Sequence, residues 1–172
     1  GGSLGAKALN DVVPQALALI PEPQRPTVVH QSGEKQIDAL RANYVAAGVH
    51  AELTPFIDDT AQAFADADLI VCRSGASTVT EIAAVGAAAL FVPFPHAVDD
   101  HQTTNARFLV DAGGAWLVPQ PDFTPAALAQ RLQSLQRDQL MEMATKAQNM
   151  KKTEAVAAVV SACEQLAKVK TA

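Results

Sequence analysis

The sequence predicts a doubly wound α/β fold, a parallel sheet with helices on both faces. Two patterns and the composition lead there. Short apolar runs alternate with stretches of helical periodicity along most of the chain. Those runs are continuously apolar, without in/out alternation, as in strands covered on both sides. Apolar residues make up 49% and charged residues 18%, the balance of a core-forming, helix-rich globule, which excludes disordered, collagen-like and disulfide-rich chains.

The elements follow in order. Gly1-Gly2-Ser3-Leu4-Gly5 reads as a glycine-rich turn of the kind that leaves a strand, so a strand is expected ahead of Gly1. Leu4, Ala8, Leu9, Val12, Val13, Ala16, Leu17 and Ile20 form a helical stripe that Pro21 and Pro23 end. The β-branched run Thr27-Val28-Val29-His30 predicts a strand, and Ile37, Leu40, Tyr44 and Ala47 a helix stopping at Gly48. The unit repeats: a strand over 49–54, then a helix to Ala65 capped by Asp58 or Asp59; a strand over 69–72, then a helix over 78–85. A strand over 88–92, a helix over 102–112 halted by Gly113-Gly114, and a strand over 115–118 complete the alternating part. Thr124-Pro125 is an N-cap followed by a first-turn proline. It opens a helical tail with helices around 128–135, 140–150 and 155–169.

One domain over residues 1–172, with 124–172 as its helical tail, suits this length. The longest apolar stretch, Ala83 to Phe94, is cut by Gly86 and Pro93 and is about half a bilayer-spanning helix. No basic stretch followed by an apolar run opens the sequence, so no signal peptide is expected. A net charge of −5 is poorly suited to a nucleic-acid backbone, so no nucleic-acid partner is expected. Cys72 and Cys163 lack metal-knuckle or redox spacing and read as buried, reduced thiols of a cytosolic protein.

Ligands of an open parallel sheet sit beyond the carboxyl ends of its strands, so the strand-to-helix loops carry the functional signal. Gly1 to Ala6 admits close backbone approach at a helix amino end, where a phosphate fits, or is a tight turn without ligand. Arg73-Ser74-Gly75-Ala76-Ser77-Thr78-Val79-Thr80-Glu81 gathers small residues and hydroxyls after an apolar strand. Thr78 and Glu81 have capping-box spacing; alternatively Glu81 accepts bonds from sugar hydroxyls while the loop holds a diphosphate. Arg73 either offsets phosphate charge or sits in a structural ion pair. His96, Asp99, Asp100 and His101 have metal-ligand chemistry but loose spacing, and a polar loop with an Asp N-cap is the simpler reading. Phe56-Ile57 offers a ring and backbone to a flat base or simply packs a helix entry. Asp66-Ala67-Asp68 matches a metal-holding Asp-x-Asp triplet but precedes its strand, at the wrong end of the sheet.

Taken in order, Gly1 to Ala6, His30-Gln31-Ser32-Gly33, Phe56-Ile57-Asp58-Asp59, Cys72 to Glu81 and Phe91 through Ala106 resemble the MurG family of bacterial glycosyltransferases. The resemblance implies a Rossmann-like domain, the carboxyl-terminal donor-binding half of the two-domain GT-B arrangement. It implies a UDP-N-acetylglucosamine-dependent hexosyltransferase that adds N-acetylglucosamine to the undecaprenyl-linked acceptor lipid I, giving lipid II in peptidoglycan synthesis. By the same resemblance Ser3 contacts the diphosphate or neighbouring sugar, and the Ile57 backbone pairs with uracil. Ala76, Ser77, Thr78, Val79 and Thr80 line the phosphate and ribose site; Glu81 binds the ribose hydroxyls and Gln102 the sugar hydroxyls. The family often has glutamine where His101 stands, so His101 is left out. No metal or other cofactor is implied. The general base lies in the amino-terminal acceptor domain, so no catalytic residue is assigned here and the fragment alone is expected to be inactive. Acceptor binding and membrane contact are expected through that other half, on the cytoplasmic face of the inner membrane. Two other classes remain: an enzyme of the same architecture such as a UDP-N-acetylglucosamine 2-epimerase, and a noncatalytic donor-binding subunit of a two-part transferase.

Overall fold

The computed structural model describes residues 6–95, 100–152, 160–161 and 163–165. Strands and helices alternate: α1 (Lys7–Ala18), β1 (Val29–Gln31), α2 (Ile37–Ala47), β2 (Glu52–Thr54), α3 (Thr60–Asp66) and β3 (Ile70–Cys72). Then come α4 (Ala76–Val85), β4 (Ala89–Phe91), α5 (His101–Val110), β5 (Ala115–Leu117), α6 (Pro125–Ser134) and α7 (Arg137–Asn149). All strand pairs are parallel, but they form two ladders, β1-β2 and β3-β4-β5, where the sequence predicts one layer.

β4 shows why its run is continuously apolar. Ala89 and Phe91 face a core with Ile82, Ala106, Leu109 and Ala147, whereas Leu90 and Val92 face Leu9, Leu17, Leu40 and Leu128. Both faces are covered, and each large apolar side chain buried this way contributes about 1.5–3 kcal/mol.

Local chemistry sets several boundaries. α2 stops at Gly48, which takes a left-handed φ of 62° while Val49 N–H reaches back to the Tyr44 carbonyl. Asp59 caps α3 through the Gln62 N–H at 2.9 Å, and Thr124 caps α6 through the Ala127 N–H at 3.2 Å. Pro14 lies within α1 and has no N–H for the Asn10 carbonyl; Asn43 of α2 donates to that carbonyl instead, at 3.1 Å. A side chain thus replaces the missing helix bond and ties α2 to α1.

Cys72 is buried, and burial pushes its thiol up to about 12. Cys163 is exposed, contrary to the sequence reading. All the described residues from 160 to 165 are exposed, so an alanine neighbour in sequence does not bury it. The helix expected over 155–169 otherwise falls outside the described residues.

Candidate functional site

Parallel pairing places the carboxyl ends of the strands together, and bonds between loops hold that end in shape. Ser32 N–H donates to the Thr54 carbonyl and Gly33 N–H to the Pro55 carbonyl, joining the loops after β1 and β2. Thr54 Oγ1 donates to the Phe56 carbonyl at 2.6 Å, shaping the turn in which Ile57 is half-buried and Phe56 exposed. Behind β1, Asn10 Nδ2 donates to the Ser32 carbonyl and to Gln36 Oε1, at 3.2 and 3.0 Å. Asn10 Oδ1 therefore faces His30 Nε2, 3.0 Å away, and this nitrogen must carry the proton. His30 Nδ1 then accepts from the Tyr44 hydroxyl at 3.0 Å. Burial lowers the His30 pKa to about 4 and raises that of Tyr44.

The loop after β3 differs from the sequence reading. α4 begins at Ala76 with Gly75 as N-cap, so Thr78 is its third residue and Glu81 its sixth. Thr78 therefore does not cap the helix, and the proposed capping box does not form. The first intrahelical bond runs from Val79 N–H to the Gly75 carbonyl at 3.0 Å. The amides of Ala76, Ser77 and Thr78 precede it and have no partner among the described residues, at the positive end of the helix. Ala76, Ser77, Thr80 and Glu81 are exposed and Thr78 is half-buried, whereas the Val79 side chain is in the core. Thr80 Oγ1 donates to the Ala76 carbonyl. Glu81 lies three and four residues after Thr78 and Ser77, on their face of the helix, and its carboxylate has no partner among the described residues.

Gln102 lies on the first turn of α5. Its Oε1 accepts from the Phe94 N–H at 2.9 Å. A backbone amide can only donate, so the oxygen end is fixed and Nε2 turns away from Phe94. Buried Ser74 donates to the Gln102 carbonyl at 2.8 Å, and Asn105 Nδ2 donates to the Ser74 carbonyl at 3.1 Å. The loop after β3 and the start of α5 are thereby joined. Asp100 occupies the N-cap position of α5 but makes no side-chain cap, and its φ of 49° is left-handed.

Arg73 makes no ion pair among the described residues. Its guanidinium donates to the Val92 and Pro93 carbonyls and to Gln120 Oε1, and lies over the Phe94 ring. Ser74, Asn105 and Asn10 were not singled out by the sequence, because their side-chain partners lie 20 to 31 residues away and leave no spacing motif. Ser3, His96 and Asp99 lie outside the described residues. Among the described residues no group of three or more His, Cys, Asp or Glu could hold a metal. Asp68 pairs with Arg137 at 3.1 Å.

Residues 1–160 match the glycosyltransferase family 28 C-terminal domain. The chain belongs to this family. The domain is 74% identical over 166 residues to the UDP-N-acetylglucosamine–N-acetylmuramyl-(pentapeptide) pyrophosphoryl-undecaprenol N-acetylglucosamine transferase of Paracidovorax citrulli, covering 96% of this chain and 47% of that protein. It is 73% identical over 168 residues to the transferase of the same name in Polaromonas sp. JS666, covering 98% of this chain and 43% of the relative. The family 28 domain thus spans about half the length of the curated relatives it matches. A crystal structure of Acinetobacter baumannii MurG superposes with a TM-score of 0.87 and 46% identity, over 96% of this chain and 50% of that one. The Rossmann-like α/β architecture of a GT-B carboxyl-terminal domain follows. Glycosyltransferase VinC, crystallised with DTDP, has the same fold at a TM-score of 0.63 and 23% identity.

Proposed function

We propose that this domain binds UDP-N-acetylglucosamine as the donor half of an inverting hexosyltransferase whose acceptor is lipid I and whose product is lipid II. The observation that carries the reading is the start of α4: three amides without a partner among the described residues, hydroxyls beside them, and the exposed Glu81 carboxylate one turn on. The names of the relatives, which are transferases of this sugar, support it.

In this reading the diphosphate lies against Ala76, Ser77 and Thr78, and Ser3 contacts it or the neighbouring sugar. Thr80 offers its oxygen as an acceptor, and Val79 holds the helix to the core behind the site. Glu81 accepts from the two ribose hydroxyls, and the Ile57 backbone meets the uracil edge. Gln102 presents Nε2 to a sugar hydroxyl oxygen. The acceptor's C4 hydroxyl attacks C1 as the bond to the UDP oxygen breaks; the base that removes its proton lies outside this chain. Negative charge developing on UDP is met by fixed N–H dipoles, so no metal is needed. One helix end supplies about 0.3–2 kcal/mol, so direct hydrogen bonds must supply the rest. No described helix is long and apolar enough to cross a membrane, and we place membrane contact on the other half, at the cytoplasmic face.

Product analysis on the full-length protein tests the reading. With UDP-N-acetylglucosamine and lipid I it should yield UDP and a lipid carrying one added N-acetylglucosamine. UDP-N-acetylmannosamine, or free N-acetylmannosamine with UDP, in place of any lipid product would instead mark an epimerase. Donor binding with transfer only after a separate acceptor subunit is added would mark a two-part enzyme.

A further inference from the structure

The first residue after β3 is bonded to the loop after β4. Arg73 Nη1 donates to the Val92 and Pro93 carbonyls, both at 2.9 Å, and Nη2 to Gln120 Oε1 at 2.6 Å. The guanidinium carbon lies 5.4 Å from the centre of the Phe94 ring. Val92, Pro93 and Phe94 are consecutive, and the Phe94 N–H fixes the Gln102 oxygen. The neighbouring Ser74 holds the Gln102 backbone. Two adjacent residues therefore brace both ends of the segment from 92 to 102: Arg73 through the strand exit, Ser74 through the helix start. A planar guanidinium spanning two carbonyls and an amide oxygen acts as a bracket that a point-charge ammonium does not reproduce.

We propose that Arg73 is a positioning residue for the sugar half of the donor site, holding the Gln102 amide in its productive orientation through Val92, Pro93 and Phe94. This rests on the donor-binding reading above. Arg73 contributes through the loop; the nucleotide is held by α4 and Glu81, and should not sense its removal.

The experiment is calorimetry of UDP and of UDP-N-acetylglucosamine with the full-length protein carrying Arg73→Met, Arg73→Lys, Gln102→Ala or Gln120→Ala. For Arg73→Met, UDP-N-acetylglucosamine should weaken about tenfold, the loss of one hydrogen bond, while UDP stays within about twofold. Arg73→Lys should behave as Arg73→Met does. Adding Arg73→Met to Gln102→Ala should weaken the sugar nucleotide by less than about twofold further, because both act through one side chain. If Arg73→Met does not fold, Gln120→Ala carries the test: selective weakening of the sugar nucleotide supports the proposal and unchanged binding overturns it. Equal loss of UDP and UDP-N-acetylglucosamine, rescue by lysine, or full additivity with Gln102→Ala would also overturn it while leaving the donor site standing. A folded wild-type protein that binds neither nucleotide would overturn the donor-site reading and this inference with it.

Discussion

Substituting His30 by glutamine should make the fold less stable at neutral pH and less sensitive to acid. His30 is buried between the Tyr44 hydroxyl and Asn10 Oδ1 and is neutral, with its pKa lowered to about 4 by burial. Above pH 6.5 the folded and unfolded chains both hold it neutral. Between 6.5 and 4 the unfolded chain takes up a proton that the folded chain refuses, so stability falls as pH falls. Two and a half pKa units at about 1.4 kcal/mol each give a loss of about 3 kcal/mol by pH 4. Glutamine keeps a donor toward Asn10 and does not titrate, but leaves the Tyr44 O–H without its acceptor at a cost of about 1–3 kcal/mol. Urea unfolding followed by circular dichroism at pH 7, 6, 5 and 4.5 measures both effects. The variant should be weaker at pH 7, and the gap should close on acidification. Parallel stability curves for the two proteins would refute the buried neutral histidine.

Three other outcomes are expected. A side chain at Gly114 would place Cβ 2.8 Å from the Ala147 Cα and backbone N, so Gly114→Ala should destabilise by about 1–3 kcal/mol, read as a lower midpoint in thermal unfolding. Thr124→Ala removes the cap on Ala127 N–H and should cost about 1 kcal/mol in urea unfolding at pH 7. Donor binding measured by calorimetry should survive a chelator such as EDTA unchanged; strict dependence on added Mg²⁺ or Mn²⁺ would return attention to Asp100, His101 and their loop.

What the sequence made legible was local. Gly48, Asp59 and Thr124-Pro125 act on bonds three to five residues away, so their spacing alone places the helix ends. The covered faces of β4 are visible as an unbroken apolar run for the same reason. Thr78 and Glu81 misled because capping-box spacing also occurs inside a helix, and Gly75, with no side chain to signal its role, is the true cap. Arg73 was legible as a charge but not as a bracket, since its partners lie 19, 20 and 47 residues ahead. The division of the strands into two ladders is likewise a matter of strand order, which no local pattern encodes.

The central claim, that the start of α4 and Glu81 hold the nucleotide of UDP-N-acetylglucosamine, is tested most directly by titrating this sugar nucleotide into the full-length protein and its Glu81→Ala variant in a calorimeter. Removing a charged acceptor of two hydroxyls should weaken binding by about 1.5–3 kcal/mol, or roughly 10- to 150-fold, with the fold intact by circular dichroism. Equal affinity for the two proteins would contradict the account.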